Sequence, residues 1–314
     1  MLKSVLTLLV GLSTLCGAFV AHADEKSRET LRVMTFNIRL SFGEVGKPTE
    51  WKHRKGLVAE MIRRGNYDFV GIQEAILTPL PNLNQVKDIQ ALLPEYGVIV
   101  RSRSRSATEG ESTPILYRKD RWEPDAEAQG CFWLSDTPDV PASITWENAC
   151  PRTVVWGKFY EIAQNAEGEN VRTGKTIYFF NTHFDHVSEK ARRLSAIQIA
   201  RFIADRNDPA PVLLTGDFNC GESSVAIRYL RGEEVKIGDE SVRSSVPFFD
   251  TFRAVHPDET DVQTFHNFGT SKYREKIDYV FATPGLKTLS ANILRDKGEI
   301  YPSDHYPLDA ELAW

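Results

Sequence analysis

Cysteine and methionine are scarce in this chain, with four and three among 314 residues, and the cysteines are scattered. No histidine pair stands at the i, i+4 spacing of a helical zinc site, so zinc is not the expected metal. No basic excess is present either: 43 acidic side chains face 38 basic ones, which gives no advertisement for a polyanionic partner. Runs of membrane-spanning length do not recur, which excludes a multispan membrane protein. No internal repeat or low-complexity linker divides the sequence. What remains is an ordinary globular composition, 41% apolar, long enough for one large domain with a sizeable core.

The first residues depart from that pattern. Lys3 precedes an apolar stretch that runs to Val20 and ends in Ala21-His22-Ala23. This is the form of a signal peptide with an A-x-A cleavage site, so residues 1–23 are expected to be removed and 24–314 to form one mature domain. A membrane anchor is the competing reading, but the stretch falls short of the ~20 residues that span a bilayer. Leu15 is too bulky to precede a lipidated Cys16. Removal of the leader takes away one charged residue, Lys3, and leaves 37 basic against 43 acidic side chains, a net charge of −6. The expected product is a secreted or periplasmic monomer without stable membrane insertion. Export permits disulfides, and Cys131 and Cys150 flank a Pro-containing stretch that a bridge could close, while Cys220 reads as a buried thiol.

Short apolar runs alternate with helix-period segments. Strands are expected at Leu31–Ile38, Phe69–Gln73, Tyr96–Arg101, Ile115–Arg118, Val154–Tyr160, Thr176–Asn181, Val212–Thr215, Ile277–Ala282 and Leu308–Ala313. Helices fit His53–Arg64 and Glu189–Arg206, each with one apolar face. Several strands are apolar throughout, as in sheets covered on both faces. A layered α/β sandwich follows.

The polar residues recur at the ends of these strands. Val33-Met34-Thr35-Phe36 ends in Asn37, and Phe69-Val70-Gly71-Ile72-Gln73 in Glu74. Ile177-Tyr178-Phe179-Phe180 runs into Asn181-Thr182-His183-Phe184-Asp185-His186, and Val212-Leu213-Leu214 into Thr215-Gly216-Asp217-Phe218-Asn219. Lys276-Ile277-Asp278 and Ser303-Asp304-His305 complete the series. Each cluster alone is equally a turn or a helix cap. Strand ends at one sheet edge converge, however, and so many carboxylates gathered together would repel one another without a cation. An oxygen-rich set of this kind suits Mg²⁺ or Mn²⁺.

Thr35-Phe36-Asn37, Gln73-Glu74, Gly216-Asp217-Phe218-Asn219, Ile277-Asp278-Tyr279 and Ser303-Asp304-His305, in that order, resemble the endonuclease/exonuclease/phosphatase superfamily. The likeness extends from about residue 32 to the C-terminus. Phe132–Asp139 and Asn181–His186 look like its deadenylase-like branch and its exported bacterial members. The resemblance implies a four-layer α/β sandwich with two central mixed β-sheets flanked by helices, and metal-dependent hydrolysis of a phosphoester.

It also implies roles. Glu74 matches a metal ligand, with Asn37 and Asp304 completing or bridging the shell. Asp217 matches the group that activates water and Asn219 the amide that holds a phosphoryl oxygen. His305 matches a phosphate-facing histidine backed by Asp278, and His183 a second one, with Glu111 as its carboxylate partner. Arg152 resembles a phosphate-contacting arginine, Asp185 extends the strand-end cluster toward metal or substrate, and His266 falls where relatives have a substrate-side loop. Arg54 reads as a structural anchor.

The substrate stays open at this level. A phosphodiesterase acting on a small extracellular phosphoester, such as a phosphosugar, an inositol phosphate or a head group, fits the net acidity. Trp133 and Trp146 could wall such a site. An extracellular nuclease on single strands is the alternative, through the basic loop Arg101, Arg103, Arg105. A catalytically inactive binding module is a third, opposed by the intact set of site residues.

Overall fold

The strand Thr30–Asn37 sends alternate side chains into two apolar environments, and this alternation sets the layering of the molecule. Leu31 and Val33 pack between two sheets with Phe69, Phe179, Leu213 and Val280. Met34 and Phe36 pack on the opposite face against Trp51, Val58 and Ile62 of the helix Trp51–Gly65 and Ile89 of the helix Gln85–Leu92. On the far side of the second sheet, Phe180, Leu214 and Phe281 meet Ala196, Ile199 and Ile203 of the helix Glu189–Asp205. The order is helix, sheet, sheet, helix, the expected four layers. Each fully buried large apolar side chain stabilises this stack by roughly 1.5–3 kcal/mol before conformational entropy is subtracted.

These features come from a computed structural model that describes residues 29–81 and 83–314, so the expected leader lies outside the described residues. The first sheet runs Lys287–Ile293, Leu308–Ala313, Thr30–Asn37, Phe69–Gln73, Ile115–Arg118, Tyr96–Ile99. The second runs Phe249–Asp250, Asp278–Ala282, Val212–Asp217, Asn170–His183, Thr153–Gln164, Trp122–Trp133. Both are mixed. Thr30–Asn37 is parallel to Phe69–Gln73, and Val212–Asp217 to Asn170–His183, so four strand ends point to one edge.

Toward that edge, the residues facing the inter-sheet space change from apolar to polar. The series are Val33-Thr35-Asn37, Phe69-Gly71-Gln73, Phe179-Asn181-His183 and Leu213-Thr215-Asp217. One layer below the edge, the side chain of Asn181 organises a closed network. Its Oδ1 accepts from Gln73 Nε2 at 2.7 Å and Thr215 Oγ1 at 3.0 Å, and its Nδ2 donates to the carbonyls of Ile72 and Pro114. Buried amides are tolerated here because their bonds are made. Gly71 makes room for them: a Cβ at this position would overlap Thr215 Oγ1 and lie 2.6 Å from Asn181 Oδ1.

Two sequence expectations fail. Cys131 and Cys150 are both free thiols, because Cys131 packs against the inter-sheet core while Cys150 lines a surface cleft. Trp133 and Trp146 are buried rather than forming a substrate wall; their indole N–H groups donate to the Arg103 carbonyl and to Asp136. Cys220 is buried, as expected.

Candidate active site

Register brings three of the expected residues into one row. Asp217 pairs with His183 on its parallel neighbour and with Asp278 on its antiparallel neighbour. All three face the first sheet, where Asn37 ends its strand. Both N–H groups of the Asn37 amide are engaged: Nδ2 donates to Glu74 Oε1 at 3.1 Å and Asp217 Oδ2 at 3.0 Å, while Oδ1 accepts from Arg39 N at 3.0 Å. The amide therefore links two carboxylates through its nitrogen, and its oxygen keeps a second lone pair for the metal contact expected from sequence.

Glu74 and Arg39 occupy the left-handed region, with φ of 61° and 57°, and so does Asn219, with φ of 51°. Such conformations cost non-glycine residues about 1–3 kcal/mol each and persist where their surroundings fix them. Here the fixing groups are visible. Glu74 Oε2 accepts from Leu40 N at 2.9 Å. The Arg39 carbonyl accepts from Gln85 and from Arg54, whose guanidinium is wholly buried and also bonds the carbonyls of Thr49, Ile38 and Pro302. Arg54 is thus the anchor expected of it, tying together the segments that carry Asn37 and Asp304. Ser303 Oγ adds a 2.6 Å bond to the Asn37 carbonyl.

His305 lies against Asp278, Nδ1 to Oδ2 at 2.9 Å, with its Nε2 3.7 Å from Asp217 Oδ2. Burial opposes its charge, but the Asp278 charge and hydrogen bond, with Asp217 and Asp304, raise it to about 10. His183 stands on the other side of Asp217, Nε2 to Oδ2 at 3.5 Å, and takes the opposite state. Burial, then the Arg152 charge, lowers it to about 3. A carboxylate thus stands between an imidazolium and a neutral imidazole. Asp217 itself is raised, by burial and then by Asp278.

Asp304 is raised by burial and by the charge of Glu74, with Arg39 Nη1 3.6 Å from its Oδ2. Burial and Glu111 push Glu74 up, yet the Leu40 N–H and the charge of His305 hold it below the usual range. A half-buried and a buried carboxylate lining one cleft, one favoured as the anion and one destabilised by it, fit a divalent cation held by Glu74 and Asp304. The ligand atoms of Asp217, Asp278 and His305 also lie within 4.8 Å of one another, but that grouping is occupied by the His305–Asp278 hydrogen bond.

A cleft of ≈ 360 Å³ opens over this row, lined also by Arg39, Glu74, Arg103, Glu111, Arg152 and Asp304. Glu111 binds Arg103 through both oxygens at 2.7 Å and lies 3.5 Å from His183 Nδ1, beyond hydrogen-bond geometry. Arg152 is 4% exposed, and its Nε and Nη1 make no hydrogen bond among the described residues. Asn219 borders the cleft; its Nδ2 donates one proton to the Phe184 carbonyl, leaving the second for substrate.

Two expected substrate contacts stand behind the walls. Asp185 is buried and accepts from the backbone of Ala149, Val187 and Ser188, bracing the loop beside Arg152. His266 is buried between Tyr301 and Tyr306, and its Nδ1 accepts from Gly269 N. Neither lines the cleft. Conversely, Arg39 was not singled out by the sequence, because neither periodicity nor spacing marks a residue whose position depends on a left-handed backbone.

Carboxylates and imidazoles converging at one edge of a two-sheet sandwich, beside guanidinium groups, define a hydrolase of phosphoesters. The chain belongs to the Endonuclease/Exonuclease/phosphatase family, whose pattern matches residues 34–305. A family member of known structure from Bacteroides vulgatus is 33% identical, with 90% of this chain and 98% of that one covered and a TM-score of 0.75. A mannosyl-6-phosphatase from Bacteroides thetaiotaomicron is 28% identical, covering 90% and 100% of the two chains, TM-score 0.71. The human Nocturnin catalytic domain, at 15% identity, 91% and 94% coverage and TM-score 0.66, shares the fold. The family is generally divalent-metal dependent.

Proposed function

We propose that this chain is an exported, Mg²⁺- or Mn²⁺-dependent hydrolase of small phosphomonoesters, phosphosugars first among them. The observation that carries this reading is the cleft of ≈ 360 Å³, where Arg39, Arg103 and Arg152 line the same small hollow as Glu74, His183, Asp217 and His305. The loop from 101 to 105 does not supply an extended basic track. Arg103 is neutralised by Glu111, and Arg101 lies over the Trp133 ring at 5.3 Å. These pairings weaken the nuclease alternative. The 28% identical mannosyl-6-phosphatase supports a monoester over the diester expected from sequence, and the leader-like residues 1–23 support export.

The geometry supports a role for each residue in this reading. A divalent cation at Glu74 and Asp304 would neutralise charge on the phosphoryl and leaving oxygens. Asp217 orients and deprotonates the attacking water. His305, held cationic by Asp278, donates to a phosphoryl oxygen, as do Asn219 and Arg152. Neutral His183 donates from Nε2 without adding charge beside Asp217.

Release of phosphate from hexose 6-phosphates and p-nitrophenyl phosphate, compared with turnover of bis-p-nitrophenyl phosphate and single-stranded RNA and DNA, tests the reading. Monoesters should be preferred, with activity abolished by EDTA. Preferential, steeply salt-sensitive cleavage of polynucleotides would overturn it.

A further inference from the structure

Beside the catalytic cleft lies a second hollow, ≈ 410 Å³ in volume, and Asn219 borders both. Its chemistry differs from that of the cleft. Arg192 and Arg193 of the helix Glu189–Asp205 face Glu189 and Glu275, so two positive and two negative groups balance. Arg192 spends one N–H on the Asp185 carbonyl, and Arg193 reaches Glu189 only at 3.9 Å, so donors remain on both. Ser223 adds a hydroxyl.

Glu275 is placed deliberately close. Gly221 packs under its carboxylate, and a Cβ there would lie 2.5 Å from the carboxyl carbon. The Tyr273 hydroxyl donates to Glu275 Oε2 at 2.5 Å, which turns one carboxylate edge toward the ring and leaves the half-exposed ring itself against the hollow.

A hollow of this make-up is a poor host for a second phosphate, because its lining carries as many carboxylates as guanidinium groups. It is a poor host for an alkyl chain, because its lining is largely polar. Vicinal hydroxyls suit it: guanidinium and carboxylate forks pair with adjacent O–H groups, and an aromatic ring covers the C–H face. We propose that this hollow is the leaving-group subsite, binding the neutral polyhydroxylated part of the substrate while its phosphoryl group lies on the other side of Asn219. The inference rests on the proposed phosphosugar reading and adds where the sugar lies and which residues select it.

The test uses the full-length metal-loaded enzyme and the variants Glu275→Gln, Arg193→Gln and Gly221→Ala, with mannose 6-phosphate and p-nitrophenyl phosphate as substrates. Each variant should lower kcat/KM for the sugar phosphate at least tenfold more than for the aryl phosphate, which has no hydroxyls to bind. Free mannose should inhibit p-nitrophenyl phosphate hydrolysis by the wild type competitively, and the variants should be less sensitive. Equal losses on both substrates with unchanged mannose inhibition would overturn the subsite while leaving the phosphosugar reading intact. Competitive mannose inhibition that the variants abolish, with no sugar phosphate hydrolysed, would uphold the subsite and sink the substrate assignment. Absence of both mannose inhibition and substrate discrimination would end the proposal, and circular dichroism of each variant separates it from misfolding.

Discussion

Asn37 Nδ2 donates to Asp217 Oδ2 across 3.0 Å, and with that bond the end of a strand in one sheet is tied to the end of a strand in the other. The same nitrogen holds Glu74, so the proposed cation ligand and the proposed water activator are positioned by one amide. Their separation therefore depends on how closely the two sheets meet.

Replacing Asn37 with Ala should lower kcat and divalent-cation affinity together, each by about 10–100-fold, the usual cost of losing a group that orients ligands. Activity titrated with Mn²⁺, alongside calorimetric Mn²⁺ binding, measures both. A loss in kcat with unchanged affinity would separate Asn37 from Glu74.

The opposite states of the two histidines set the pH response. His305 is raised to about 10, so its charge persists through neutrality, and an alkaline limb should lie near that value. Asp278→Asn removes the main group that sustains the charge, and burial then dominates, so the limb should move to lower pH. The sign for stability agrees: between its unperturbed value near 6.5 and about 10 the folded state binds more protons, so the His305 contribution is complete below this window and lost as pH rises through it. Thermal melts of His305→Asn should be flatter than wild type across that interval. An alkaline limb unmoved by Asp278→Asn would remove His305 as its source.

Much of this site was legible because apolar strands ended in chemistry-bearing residues. Phe69–Gln73, Ile115–Arg118 and Leu308–Ala313 have the expected bounds, and the helix expected at His53–Arg64 spans Trp51–Gly65. Of the edge strands, Tyr96–Ile99 was expected, but two others were not legible. Trp122–Trp133 is half exposed and carries Pro124 beside a register shift, and Lys287–Ile293 buries two of its seven residues, so neither presents an apolar run. Asp185 and His266, expected at the substrate, do not line the cleft, for a different reason. Sequence places a residue on a strand end or loop, but whether its side chain faces the cleft or the backbone behind it is decided by tertiary packing.

Gly71 offers a check on the polar layer beneath the site. Gly71→Ala would drive a methyl group into Thr215 and Asn181, where neither the sheets nor the amide network can yield cheaply. Overpacking of this kind should destabilise the protein by about 1–3 kcal/mol, read from urea denaturation. Because Asn37, His183 and Asp217 lie one layer above, kcat should also fall in the fraction that remains folded. Wild-type stability in this variant would contradict the close sheet contact.

The most direct test of the account is phosphate release by the wild type, Asp217→Asn and Glu74→Gln, each measured after chelation and after addition of Mg²⁺ or Mn²⁺. The chelated wild type should show no activity, either cation should restore it fully, and Asp217→Asn should lose at least about 10²-fold, a loss that added metal does not repair. Glu74→Gln should recover only at much higher metal concentration. Undiminished hydrolysis by the chelated wild type, or by Asp217→Asn, would contradict the account.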